Sequence, residues 1–321
     1  MEVLHITNNY PTNKLPIFGV FVKEQIESLG DINVNNEILF INAREKGKIE
    51  YVRAIWKIRE KVKDKRYDII HCHHALSALC LVLSLKCFQN KVIVSFQNDP
   101  LNELGAAIFR IIKVFTDGLI FKNNSVLIND PFSFYLPNGV NTKLFIPIEK
   151  LVAREQLQLC ANKIYILFVS SNRLRRQKRY DVFAETLLIL KKTYGYHNID
   201  EIKVINVKRE VMPIYINAVD LHLLTSDFEG SPNSVKECMA CNTPVVSTNV
   251  GNVSELLLNV TNSYVADNNT PEDIAKLVDK VLRTDSNLKN DGREKLLDLQ
   301  LDIDSVARTL KEVYNKIINK K

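Results

Sequence analysis

Apolar residues fall into short, nearly unbroken runs separated by stretches of helical period. Tyr165 to Ser170 reads as a buried parallel strand, and Val3 to Thr7, Lys91 to Ser95 and Ile202 to Val207 as further strands. Asp181 to Thr193 reads as a helix, as does the mixed stretch Ile148 to Leu159. In Ile303 to Ile318 the residues Val306, Leu310, Val313 and Ile317 form one apolar stripe. Strands alternating with helices in both halves predict an α/β chain with two doubly wound parallel sheets. The boundary is expected near Pro147, after the turn Pro137-Asn138-Gly139. No internal repeat or low-complexity tract interrupts the pattern.

The length of 321 residues, at about 150 per domain, and a 46% hydrophobic content fit two cores. Gly-x-Gly is absent, and so are the P-loop, His-Glu-x-x-His and Gly-x-Ser-x-Gly patterns. Hydride transfer on a dinucleotide, triphosphatase, zinc protease and serine hydrolase chemistry are therefore disfavoured.

Chemistry concentrates in Glu229-Gly-Ser-Pro-Asn-Ser-Val-Lys-Glu237. Ser231 suits an N-cap and Pro232 the first helical position, so a helix is expected from Pro232 through Cys241. The first amides, near Asn233 and Ser234, together with the helix dipole, suit a diphosphate. Glu229 and Glu237 would repel phosphate and are better placed to accept hydrogen bonds from hydroxyls of a sugar and a ribose. Neutralising cations are offered by Arg173 and Lys178, just beyond the strand Tyr165 to Ser170, where open α/β sheets bind ligands. A solvated basic loop is the alternative for that segment.

Taken together these segments resemble the retaining GT-B glycosyltransferases of family four, whose donor half carries an arginine, four residues, a lysine, and later Glu-x7-Glu. The likeness runs over nearly the whole chain, through Tyr215 to Ser226 before the motif and Ala240 to Gly251 after it. In the first half Gly19-Val-Phe-Val22 looks like the family's glycine loop. Asp68-Ile-Ile-His-Cys-His-His74 looks like its Asp-x-x-His-x-His segment, and Leu136 to Phe145 like its hinge. The resemblance implies two Rossmann-like domains facing a central cleft: an acceptor-side domain 1–146, to which helix 304–321 crosses back, and a donor domain 147–303. It also implies a metal-independent, cofactor-free transfer of sugar from a nucleoside diphosphate sugar to a glycan or lipid-linked acceptor, in polysaccharide or glycolipid synthesis. Arg173, Lys178, Glu229 and His73 would be catalytic, and Gly19, Asn233, Ser234 and Glu237 would bind the donor. The chain departs from the pattern at Asn172 and at Ser95-Phe-Gln-Asn-Asp99, and is short between Asp99 and Pro137 and between Tyr194 and Met212. A sugar-nucleotide 2-epimerase and a non-catalytic nucleotide-sugar or glycan binder share the architecture and stay open.

Other features have plainer readings. On a strand His71 and His73 share a face, opposite Cys72 and His74, and no further zinc ligands are evident. One histidine is expected to be satisfied in the core while the other, His73, meets substrate. Cys238 and Cys241 suit helix packing, and Asp302-Ile-Asp304 a helix start. Six cysteines and an opening core strand without a leader predict a reducing, cytoplasmic setting, and no run is long enough to span a membrane. Residues 44–66 hold ten Lys or Arg against four Asp or Glu, and Val52, Ile55, Trp56, Ile58 and Val62 lie among them. This segment is expected either to pack as an ordinary surface helix or to rest on anionic lipid at the inner membrane face. No nucleic-acid partner is expected.

Overall fold

The computed structural model describes residues 1–63, 65–86, 90–101, 105–124, 128–170, 176–284 and 290–320. The chain forms two units, one of Met1–Lys14, Phe18–Gly139 and Ile303–Lys321, the other of Leu15–Ile17 and Val140–Asp302. Each is built on one parallel sheet.

In unit 1, strands β1 (Glu2–Thr7), β2 (Asn35–Phe40), β3 (Ile69–His73), β4 (Lys91–Phe96), β5 (Gly118–Phe121) and β6 (Ser133–Tyr135) lie in the order β2-β1-β3-β4-β5-β6. One face of this sheet carries Leu4, Ile6, Ile70, Cys72, Val92, Val94 and Phe96, which pack with Ala54, Ile58 and Val62 of helix Ile49–Lys63 and Ala78 and Leu81 of helix Ala75–Leu83. The register pairs His5 with His71 and His73 with Ser95, so the opposite face carries a polar row through the middle of the sheet. Helix Ile303–Ile318 covers that row with Val306, Ala307, Leu310, Val313, Tyr314 and Ile317 buried, the expected stripe widened by Ala307 and Tyr314. It packs beside helix Val20–Asp31.

In unit 2, strands β7 (Ile164–Ser170), β8 (Ile199–Ile205), β9 (Leu221–Leu224), β10 (Val245–Thr248) and β11 (Tyr264–Ala266) lie in the order β11-β10-β9-β7-β8. Ile166, Phe168, Leu221, Leu223 and Val246 meet Val182, Phe183 and Leu187 of helix Tyr180–Lys192 and Ile274 and Val278 of helix Pro271–Arg283. Helices Met212–Ala218 and Asn233–Ala240 pack against this sheet as well. Coverage of both faces explains why inner strands such as β4 and β7 read as apolar runs, whereas the edge strand β8, with Asp200, Glu201 and Lys203, stays partly exposed.

Two expected elements shift. The helix expected over 148–159 is confined to Lys150–Gln156, with Gln158 at φ 55 closing it. The strand expected over 202–207 is Ile199–Ile205, ended by Asn206 at φ 54. Left-handed backbone at each position stops the regular repeat.

Because Leu310 is fully buried on the inner face of the terminal helix, Leu310→Ala should cost about 3 kcal/mol through lost burial and an incompletely collapsed cavity. Urea denaturation followed by far-UV circular dichroism checks this.

Candidate functional site

The helix bearing the acidic motif begins one residue later than expected. Pro232 is its cap, at φ −68 and ψ 117, without a side-chain cap bond, and the helix spans Asn233–Ala240 with Cys241 as C-cap. An extended Pro232 leaves the first turn to Asn233. The expected capping by Ser231 is not seen: Ser231 Oγ and Asn233 Oδ1 are both buried and have no hydrogen-bond partner among the described residues. The first intrahelical bond runs from Lys236 N to Pro232 O at 3.4 Å. The amides of Asn233 and Ser234 therefore have no partner within the helix. The Ser234 hydroxyl is committed elsewhere, 3.0 Å from His222 Nε2, while His222 Nδ1 lies 3.0 Å from Leu167 O. With its hydroxyl so engaged, Ser234 leaves its amide without a partner within the helix.

Both motif carboxylates are paired. Glu229 Oε1 accepts from Lys178 Nζ at 2.7 Å and from Ser226 Oγ at 2.8 Å. Glu237, 5% exposed, pairs with Arg209, whose guanidinium lies 4.4 Å from the centre of the Phe145 ring. Arg209 was missed in the sequence because it belongs to no motif; it sits on the short turn Arg209–Val211 after β8. Lys178 is held in place by its backbone, with Thr225 Oγ1 donating to the carbonyls of Lys178 (2.9 Å) and Arg179 (3.0 Å). Asp227 N also donates to Gln177 O at 2.9 Å, and Arg179 bridges Asp181 and Asp227. Gly251, at φ +58, lies so close to this loop that a Cβ would stand 2.4 Å from Gly230 O. Only glycine fits there. Arg173 lies outside the described residues.

In unit 1 the histidine cluster is larger than the sequence shows. His5 of β1 joins His71 and His73 of β3, all three buried, with the rings of His71 and His73 stacked at 4.1 Å. His71 is satisfied by Tyr314 Oη (2.6 Å, at Nδ1) and Ser95 Oγ (2.7 Å, at Nε2). His5 Nδ1 lies 3.0 Å from His73 Nε2, and His5 Nε2 lies 2.9 Å from Asn36 Oδ1. Nδ1 of His73 is buried without a partner among the described residues. Ligand-type nitrogens of the three come within 4.8 Å of one another. A zinc ion needs convergent lone pairs, but both nitrogens of His5 and of His71 are engaged in hydrogen bonds. His5 was missed because strand register, not spacing, brings it to the cluster. Nearby, burial pushes the amine of Lys122 down to about 7 while its Nζ donates to Leu136 O at 2.9 Å. Burial, aided by His5 and then by the charge of Lys122, holds His73 well below an ordinary histidine. Gly19, at φ 72, caps helix Val20–Asp31, and a Cβ there would stand 2.2 Å from the Asn9 carbonyl carbon.

The remaining sequence features are structural. Burial pushes the Cys241 thiol up to about 12 and that of Cys238 well above its usual value, leaving both inert at neutral pH. Asp304 lies in the first turn of the terminal helix. A cavity of about 700 Å³ lined by Asp68, Lys91 and Asp117 sits at the amino ends of β3 to β5, the opposite end of those strands from His73.

Residues 189–295 match the model of the family described as glycosyl transferases group 1. Among solved structures, the chain is similar to sucrose-phosphate synthase from Thermosynechococcus elongatus, at 14% identity and TM-score 0.77 over 99% of both chains. It is also similar to Anabaena HepE in complex with UDP-glucose, at 13% identity and TM-score 0.70 over 98% of this chain and 100% of that one. The catalytic domain of Arabidopsis thaliana starch synthase IV bound to ADP and acarbose is similar at 12% identity and TM-score 0.71, over 99% of both chains. None of the curated proteins matches the sequence. The chain has the GT-B fold and carries a glycosyl transferases group 1 domain; it is a glycosyltransferase.

Burial holds the imidazoles of His5 and His222 at about 4, so both stay neutral where an unfolded chain would be protonated. Acidification therefore favours unfolding in the window from about 6.5 down to 4, and stability is full above it. Each group should cost about 2 kcal/mol between pH 7 and pH 5. Chemical denaturation at the two pH values checks this, and an unchanged midpoint would contradict neutral burial.

Proposed function

We propose that the chain moves a sugar from a nucleoside diphosphate sugar to an acceptor hydroxyl, with retention of anomeric configuration and without a metal ion or other cofactor. One observation carries this reading: two cation–carboxylate pairs, Lys178 with Glu229 and Arg209 with Glu237, borne by the helix Asn233–Ala240 and the loops serving it. A diphosphate entering at the helix start competes with the carboxylates for the cations and meets the amides of Asn233 and Ser234. Glu229 and Glu237 are then released to accept hydrogen bonds from hydroxyls, Glu229 from the sugar and Glu237 from the ribose. As the bond from the anomeric carbon to the diphosphate breaks, charge grows on the departing oxygen. Lys178, Arg173 and the helix amides stabilise it, which is electrostatic catalysis by groups already in place. Positive side chains do here what a divalent ion does in other sugar transfers. Nucleoside diphosphates in the HepE and starch synthase IV structures support the donor class. His73 and Gly19 of unit 1 are assigned to the sugar and acceptor.

The acceptor is a glycan or a lipid-linked glycan of a cell-surface polysaccharide or glycolipid, extended in the cytoplasm at the membrane surface. Support comes from helix Ile49–Lys63. Its buried side, Ala54, Ile58 and Val62, packs on the sheet, but Ile49, Val52 and Trp56 stand 51%, 52% and 62% exposed. Leu83 and Leu85 are exposed close by, where Arg59 donates to Ser84 O at 3.1 Å. Apolar side chains among Arg53, Lys57 and Lys63 suit an anionic lipid surface. Among the described residues no helix is long and apolar enough to cross a membrane.

Calorimetry with UDP-, GDP- and ADP-sugars should find a donor whose affinity is unchanged by chelator. Lys178→Met should lower turnover about 100-fold with the circular dichroism spectrum intact; near-normal turnover would reject its role. Conversion of the donor with no acceptor present would point to epimerisation instead. Separately, co-sedimentation with phosphatidylglycerol vesicles should exceed that with phosphatidylcholine vesicles and fall in high salt and in Trp56→Ala. Equal recovery with both lipids would remove the membrane assignment.

A further inference from the structure

Helix and strand together fix where one proton sits in unit 1. Asn36 Nδ2 donates to two carbonyls, Ile26 O at 3.1 Å and Val34 O at 3.0 Å. Turning the amide over would set its oxygen against both of those oxygens, so the network assigns Oδ1 to the side facing His5. Having no proton of its own, Asn36 Oδ1 requires one from His5 Nε2, 2.9 Å away. A neutral imidazole carries one N–H, so Nδ1 of His5 is then a lone pair. Only His73 Nε2 can supply the proton in the 3.0 Å contact between the two rings. That leaves Nδ1 of His73 unprotonated. Deep burial keeps both rings neutral at physiological pH, as the counting requires.

We propose that Asn36 and His5 are positioning residues that lock His73 in its Nε2–H form, so that its Nδ1 is a hydrogen-bond acceptor reserved for a hydroxyl of the sugar substrate. The assignment to a sugar hydroxyl rests on the glycosyltransferase reading above; the proton assignment does not. A lone pair on a neutral ring selects a proton donor. Phosphate and carbonyl oxygens, which bring none, are turned away, whereas the opposite tautomer would select them. The orientation is set from the far ring nitrogen, as is general for histidines whose chemistry depends on tautomer. His71 lacks such a device, because both its partners are hydroxyls, of Tyr314 and Ser95, which can donate or accept.

The test is a long-range proton–nitrogen correlation spectrum of the full chain labelled with ¹⁵N-histidine, the His73 signals being identified by their loss in His73→Gln. In the wild-type protein His73 should show a pyrrole-type Nε2 and a pyridine-type Nδ1. A pyrrole-type Nδ1 would overturn the proposal. In His5→Phe, which removes the acceptor, the His73 signals should move toward the averaged values of mixed tautomers. In His5→Gln, whose amide oxygen can take the same proton, they should stay. Unchanged signals in a folded His5→Phe would show that His5 does not set the tautomer; should that variant not fold, the wild-type spectrum alone decides. With turnover measured beside the spectra, His5→Phe should lose about tenfold in kcat with little change in KM, and His5→Gln should recover it. A correct tautomer in a protein that transfers no sugar would refute the proposed reaction and leave the relay standing.

Discussion

Buried polar groups in this chain must find one another, and that requirement shapes both units. Parallel sheets bury their strands on both faces, so a polar residue in a central strand has no water to turn to. In unit 1 the answer is a row of imidazoles, hydroxyls and an amide running from Asn36 through His5 to His73, and from Ser95 through His71 to Tyr314. The last helix is tied to the first unit by this row as well as by its apolar stripe. Tyr314 is both a core side chain, fully buried, and a hydrogen-bond partner of a central strand.

In unit 2 the same requirement produces ion pairs rather than a neutral row. Glu229 lies in the loop before the helix Asn233–Ala240 and Glu237 in its second turn, and each has a cation of its own. Such pairs are costly to leave half-broken. A ligand that takes over the cations must therefore bring hydrogen-bond donors for the carboxylates. A sugar diphosphate does both at once, an anion at one place and hydroxyls at another. The loops behind the pairs are tied together: Thr225, Asp227 and Gln177 fasten one loop to the other, and Gly251 lets the neighbouring loop pass close by.

Much of this was legible in the chain. The apolar run Tyr165 to Ser170 announced a buried strand, the stripe on Ile303–Ile318 announced a packed terminal helix, and period two put His71 and His73 on one face. The spacing of Glu229 and Glu237 marked the helix that carries the pairs. What could not be read depends on contacts between distant segments. His5 and Asn36 reach His73 through strand register, which no local pattern encodes, and Arg209 reaches Glu237 from a turn without a motif. The helix start was misplaced by one residue because Pro232 is as comfortable in an extended cap as in a first turn.

Trp56 is the single tryptophan of the chain and projects from the basic helix of unit 1. Its emission is an optical probe built into one face of the molecule. An indole already wet in the native protein changes colour little on denaturation, so fluorescence is a poor gauge of unfolding here. What would change its colour is the removal of water from that face, which makes the native chain its own reporter of surface contact.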